Sequence, residues 1–315
     1  MTTVPSPNLI SVSETNGLRA DVNLHGAELW RLIDTDGADL LWSGDPAIWR
    51  GRAPILFPIV GELAGGGYRY REHVYSLPRH GFARLLPFSI IEQAADRVLL
   101  RLAACADTRK VYPFEFQLDL GFTCAAHSLT VSASVTNHGN QPMPFAFGFH
   151  PAFRWPLESG ADRAGHAISF AVPEPAPVCR LNSDGLVMAE RQPSPVEGRK
   201  LALNDALFVG DAIIFPELAS RSISYGAHGS AGECGRQLDL AFTNLPMLGV
   251  WSKPGAGYIC LEPWQGVADP NGFQGDIFAK PAIVTLAPGE IWQAQMVLLP
   301  RAPDPLCLRS DAFVS

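Results

Sequence analysis

The sequence predicts an all-β protein, a large antiparallel β-sandwich, and three observations carry that prediction. Apolar and polar residues alternate with period two over long stretches, as they do when successive side chains of a strand point to opposite faces. Glycine and proline, 29 and 27 of the 315 residues, punctuate nearly every segment and leave little room for long helices. The strand–helix–strand alternation that builds a parallel sheet is missing from the pattern.

The elements follow in chain order. Asp34-Thr-Asp-Gly37 reads as a turn. An apolar strand runs through Gly51-Arg52-Ala-Pro-Ile-Leu-Phe57-Pro58-Ile-Val-Gly61-Glu62. In Phe114-Glu-Phe-Gln-Leu118-Asp-Leu120-Gly-Phe122 every second residue is apolar, and the same holds for Leu129-Thr-Val-Ser-Ala133-Ser-Val135-Thr. These read as strands with one buried face, and Asn137-His-Gly-Asn140 as a turn after the second. Pro173-Glu-Pro-Ala-Pro177 reads as a surface loop and Leu203-Asn-Asp-Ala-Leu-Phe208 as the only short helix. Leu238-Asp-Leu-Ala-Phe242 alternates again, and Ile259-Cys-Leu261 looks like a buried strand. No linker of convincing length separates two halves, so residues 1–315 are expected to form a single domain.

Composition narrows the function. With 47% hydrophobic and 17% charged residues the chain can bury a large core. Its net charge is -7, and its basic residues are scattered rather than gathered into a stripe, which argues against nucleic acid and anionic membrane as partners. No apolar run approaches the roughly 20 residues of a membrane span. The start, Met1-Thr-Thr-Val-Pro-Ser-Pro7, lacks a basic segment followed by an apolar one, so a cytoplasmic location is expected. The cysteines Cys105, Cys124, Cys179, Cys234, Cys260 and Cys307 form no Cys-x-x-Cys pair and read as reduced thiols.

Several kinds of chemistry are excluded by pattern. Gly65-Gly-Gly67 lacks the strand-to-helix context and the lysine of a phosphate loop. There is no Gly-x-Ser-x-Gly nucleophile elbow. The histidines are isolated in sequence, so no metal site is expected. What remains is a set of titratable groups in apolar surroundings. His150 lies in Met143-Pro-Phe-Ala-Phe-Gly-Phe-His150-Pro-Ala-Phe153, and Glu262 in Cys260-Leu-Glu262-Pro-Trp264. His80 lies in Leu77-Pro-Arg-His80-Gly-Phe-Ala-Arg84, where glycine permits a close backbone approach. Core rarely accepts an unpaired charge, so such groups either satisfy one another or face a common polar cleft. A histidine acid and a carboxylate base on two sides of a substrate constitute proton-transfer machinery. The other histidines (His25, His73, His127, His138, His166 and His228) lie near turn or polar residues and read as surface or turn positions. Trp264, Trp155 and Phe153 offer flat apolar faces that suit a pyranose ring, although core packing is the commoner explanation for any single one of them. Arg52, with Arg50 as its alternative, can offer a fork of donors; Asp211 or Asp205 can accept from a polyol, or can simply cap an element.

Taken in order, Ala53-Pro-Ile-Leu-Phe-Pro-Ile-Val-Gly61, Arg79-His-Gly-Phe-Ala-Arg84, Met143–Phe153, Leu261-Glu-Pro-Trp264 and Ala287-Pro-Gly-Glu290 resemble the aldose 1-epimerases, or mutarotases, most closely their shorter bacterial branch. The resemblance implies a galactose mutarotase-like supersandwich with a sugar cleft across one sheet. It implies that His150 is the acid, Glu262 the base and His80 the second histidine, with Arg52 and Asp211 binding substrate. The implied reaction interconverts the α and β anomers of a free aldose such as glucose or galactose, with no cofactor and no metal. Where longer galactose-type members carry a Gly-Arg pair, this chain has Gly61-Glu62-Leu63, which leaves the preferred sugar open. A hexose-6-phosphate 1-epimerase and a non-catalytic sugar-binding protein are the rival expectations; the oligomeric state is not implied.

Overall fold

The computed structural model describes residues 7–158, 160–229 and 232–303, so the side chain of Cys234, all of Cys307 and most of the N-terminal segment 1–7 lie outside the described residues. The fold is all-β and antiparallel. Nine strands form the larger sheet, in the spatial order Lys200–Ala202, His166–Phe170, Ser222–Gly229, Gly232–Thr243, Ile291–Arg301, Leu129–Asn137, Phe116–Cys124, Arg97–Ala103 and Ser89–Gln93. Its centre has the alternation expected from the sequence. Leu118, Leu120 and Phe122 are buried beside Val131, Ala133 and Val135, while the residues between them face outward.

A second sheet runs Ile213–Phe215, Met247–Trp251, Tyr258–Gln265, Phe147–Phe149 and Ile55–Leu56, and Ala152–Arg154 pairs with the first half of Tyr258–Gln265. Here the strands are buried on both faces. One face of this sheet supplies Ile55, Phe147, Phe149, Ile213, Leu248, Val250, Ile259 and Leu261 to the main core. The opposite face carries Leu56, Ile214 and Trp264 in a separate cluster. Leu9–Ser13, Arg19–Asn23 and Glu28–Ile33 form a three-stranded sheet whose Val12, Ala20, Val22, Leu29 and Leu32 join the main core.

Two expectations are corrected. The α-helix among the described residues is Ala106–Val111, not the segment near Leu203, which forms a single 3-10 turn at Asp205–Phe208. The missed helix is held by its N-terminus: Cys105 N–H donates to Thr108 Oγ1 at 2.8 Å, Asp107 sits in the first turn, and Arg109 and Lys110 sit in the last. His166 is buried rather than at a surface turn, because it opens a strand of the large sheet and its Nε2 accepts from Leu157 N–H at 3.2 Å.

Candidate active site

The strand Tyr258–Gln265 organises the site. Period two puts Ile259 and Leu261 into the core and leaves Tyr258, Cys260, Glu262 and Trp264 on the other face. Glycines stand beside two of them, with Gly249 opposite Glu262 and Gly148 opposite Trp264. A Cβ at either glycine would lie 2.5 Å from an atom of the Trp264 indole, so the ring lies flat across the sheet only because both positions lack a side chain. His150 follows the core residue Phe149 and therefore emerges on the same face as Glu262; Leu261 N–H to Pro151 O, at 3.1 Å, fixes the crossing point.

His80 arrives from a separate turn. Its own φ is 66° and that of Gly81 is 71°, and a Cβ on Gly81 would stand 2.3 Å from Phe57 O. That backbone is open to glycine and costly for other residues, which explains the Gly in Arg-His-Gly-Phe. The turn docks through His80 N–H to Gly61 O, at 2.8 Å, and Gly61 N–H donates to His80 Nδ1 at 3.1 Å. An Nδ1 that accepts leaves the ring proton on Nε2, so neutral His80 is a donor on its Nε2 side.

These elements enclose a cavity of about 190 Å³. His80, His150 and Glu262 line it with Arg79, Arg84 and Asp211, and Trp49, Trp251 and Trp264 supply aromatic walls. His150 Nε2 lies 3.2 Å from a Glu262 carboxyl oxygen. The His80 and His150 rings are edge to face with centroids 5.5 Å apart, and Trp49 stacks on His150 at 5.3 Å.

Burial dominates the electrostatics. It raises the Glu262 carboxyl well above the ordinary range, against the pull of the Arg79 guanidinium and with a further push from Asp211. The Trp264 indole N–H also favours the ionised form, although it closes no full hydrogen bond. Burial lowers the His150 imidazole to about 3, with Arg79 and Arg84 adding to the shift. His80 is lowered by burial, then by His150 and the same two arginines. A histidine and a carboxyl at 3.2 Å, each pressed toward neutrality, share one proton between them.

The cavity gathers Glu262, His150, His80 and Asp211 of the residues singled out in the sequence. Asp211 is held in a left-handed conformation at φ 66°; one oxygen accepts from Ala212 N–H at 2.7 Å and the other lies 3.9 Å from Arg79 Nη2. Asp205 is elsewhere, paired with Arg163 at 2.8 Å. Arg52 is corrected: it does not line the cavity. Its guanidinium stacks over Trp30 at 4.2 Å and donates to Trp30 O at 3.0 Å, while its backbone N–H is taken by Glu28. Arg50 is exposed and also outside the lining. The cavity's cations are Arg79 and Arg84, which flank His80 in Arg79-His-Gly-Phe-Ala-Arg84, and that flanking was the available signal. Trp155 and Phe153 are core, and the aromatic walls missed from sequence are Trp49 and Trp251. Trp251 shares the period-two face of Gly249; Trp49 sits in a loop where no pattern marks it.

The chain also resembles known proteins in sequence and in fold. The family model described as aldose 1-epimerase matches residues 8–221. The chain is 32% identical over 273 residues to the plasmid protein LacX of Lactococcus lactis subsp. lactis, covering 84% of this chain and 90% of that one. Its structure resembles a galactose mutarotase related enzyme from Lactobacillus acidophilus, with TM-score 0.86, 28% identity and coverage of 94% and 98% of the two chains. It also resembles a galactose mutarotase-like protein from Lactobacillus casei ATCC 334, with TM-score 0.85, 27% identity and coverage of 93% and 100%. On the family match and the LacX identity together, the chain belongs to the aldose 1-epimerase family.

Proposed function

We propose that the protein is an isomerase that interconverts the α and β anomers of a free aldose by opening and reclosing the sugar ring. The observation that carries this reading is the 3.2 Å contact of His150 and Glu262 on the wall of a cavity that also holds His80. The C1 hydroxyl and the ring oxygen are bonded to one carbon, so the base and the acid that serve them must be neighbours. Glu262 takes the proton of the C1 hydroxyl and His150 gives one to the ring oxygen. The C1–O5 bond breaks with its electron pair on O5, and C1 becomes a carbonyl. Rotation about C1–C2 and closure with the transfers reversed gives the other anomer. Ring opening turns an imidazolium and a carboxylate into a neutral pair, which is the form that burial favours, so the site supports the open-chain intermediate. His80, neutral and donating from Nε2, steadies charge on the ring oxygen or a nearby hydroxyl. Asp211 and Arg79 hold hydroxyls, and the three tryptophans face the apolar side of the ring. None of these steps calls for a cofactor.

Other finer expectations join this proposal. A core that contains both Ile10 and Leu298 supports one domain across the described residues. No helix among them is long and apolar enough to cross a membrane, and the free thiols Cys105, Cys124, Cys179 and Cys260 fit a reducing cytoplasmic setting.

A phosphorylated aldose is the second reading, and one observation favours it. Arg79 and Arg84 both line the cavity, and the Nε of each is buried without a hydrogen-bond partner. Two forks near one another suit a phosphate. Polarimetry of freshly dissolved α-glucose, α-galactose and α-glucose 6-phosphate tests both readings. Acceleration of the free sugars beyond the buffer rate is expected. A preference for the phosphate that weakens with salt would transfer the reaction to phosphorylated sugars, and sugar binding without acceleration of any of them would leave a binding protein.

A further inference from the structure

We propose that the same cavity wall is a binding site for a thiophilic divalent cation, represented by Zn²⁺, held by His150, Cys260 and Glu262, and that the bound cation excludes the sugar. The sequence hides this cluster, because the histidine lies more than a hundred residues from the other two. The sheet brings them together. Cys260 and Glu262 are two residues apart on one strand and share the face turned away from the main core, and Ala152, two residues after His150, pairs with Cys260. One ligand atom from each of the three lies within 4.8 Å of the others, and all three residues are buried. Tetrahedral coordination at ordinary zinc bond lengths separates ligand atoms by roughly 3.5 Å, so side-chain rotations of about an ångström close the set.

The donor types select the cation. A thiolate, an imidazole and one carboxylate form a borderline-soft set suited to Zn²⁺ or Co²⁺ and poor for Mg²⁺ or Ca²⁺, which require several oxygen ligands. His150 Nε2 faces Glu262 and Nδ1 has no hydrogen-bond partner, so the ring brings one nitrogen to the carboxylate and keeps the other uncommitted. Glu262 and His150 line the cavity, so the cation has an entry path and its remaining coordination position faces the space a sugar would fill. Cys260 does not line that space and takes no part in the proton transfers. On binding, the thiol proton leaves to solvent and the thiolate bonds the metal.

The test uses the full chain stripped with a chelator and titrated with Co²⁺ as the probe. A thiolate-to-cobalt charge-transfer band at one equivalent is expected, lost on addition of Zn²⁺ and unaffected by Mg²⁺. Cys260→Ser should abolish the band and weaken Zn²⁺ binding about tenfold or more, while the epimerase rate in chelator stays within about twofold of wild type. Cys105→Ser, at the exposed thiol, should keep the band. Should Cys260→Ser fail to fold, Glu262→Gln and His150→Asn serve instead, each expected to weaken Zn²⁺ binding by a similar factor. Absence of the band in the wild-type protein, or a band that survives Cys260→Ser or these two variants, overturns the proposal. The readout needs no turnover, so its failure is distinct from failure of the epimerase reading; where turnover is present, Zn²⁺ should inhibit competitively with the sugar.

Discussion

The two large sheets use the same strand geometry to opposite ends. In the nine-stranded sheet, strands such as Phe116–Cys124 and Leu129–Asn137 bury one face and give the other to water. In the sheet that carries Tyr258–Gln265 both faces are covered, one by the main core and one by the cavity wall and its flanking clusters. The first is a scaffold whose inward residues are mostly apolar and serve the core. The second places Glu262 where burial works against its charge, and so holds a reactive group at some cost to stability. Stability and chemistry are thus divided between sheets, and the division can be tested by substitution.

The largest effect on folding is expected in the scaffold. Phe122→Ala removes a fully buried ring from an inner strand of the nine-stranded sheet and should cost about 3–5 kcal/mol, read by denaturant unfolding. The KM of the protein that remains folded should be unchanged; a shift in KM would show that the sheets are coupled. On the other side, Gly249→Ala forces a methyl group to 2.5 Å from the Trp264 indole. A loss of about 1–3 kcal/mol is expected, together with weaker sugar binding in a fluorescence titration, because the displaced ring is a wall of the cavity.

The pH dependence of stability separates the sheets further. The Glu262 carboxyl is raised in the fold, so its contribution is complete below the ordinary carboxylate range and is lost as pH rises through the raised value. His150 is lowered to about 3, so its contribution is complete above the ordinary 6.5 and is lost as pH falls toward 3. Glu262→Gln removes only the first of these. Its Tm should match or slightly exceed wild type near pH 5 and exceed it by a few degrees near pH 8, as scanning calorimetry would show. A gap that narrows with rising pH would contradict a buried, uncharged Glu262. The smallest effect belongs to the outward face of the scaffold. The Arg101–Asp119 pair, at 2.6 Å, is partly exposed, and Arg101→Gln should cost less than about 1 kcal/mol in the same unfolding assay.

The same division explains what could be read from the chain. Phe114–Phe122 and Leu129–Thr136 were legible because one-sided burial writes period two directly into the sequence. Ile259-Cys-Leu261 was legible only as an apolar run, since burial on both faces erases the alternation. Within it, Glu262 stood out as a charge in the wrong solvent, and His150 for the same reason. Arg52 misled because a backbone position before an apolar strand says nothing of where a long side chain turns; Trp30 and its carbonyl captured the guanidinium. Trp49 left no trace because it reaches His150 from an irregular loop. The helix Ala106–Val111 went unread because it is too short to show a helical period, and its capping residue is a cysteine.

The central claim is that the buried His150–Glu262 pair performs proton transfer on a sugar. It is tested most directly by following the optical rotation of freshly dissolved α-galactose and α-glucose, in chelator, with wild-type protein, Glu262→Gln and His150→Asn, alongside a binding titration of the same sugars. The account predicts a catalysed rate in the wild type that falls about 10²–10⁴-fold in each variant, while sugar affinity changes little. Near-wild-type rates in either variant would contradict it.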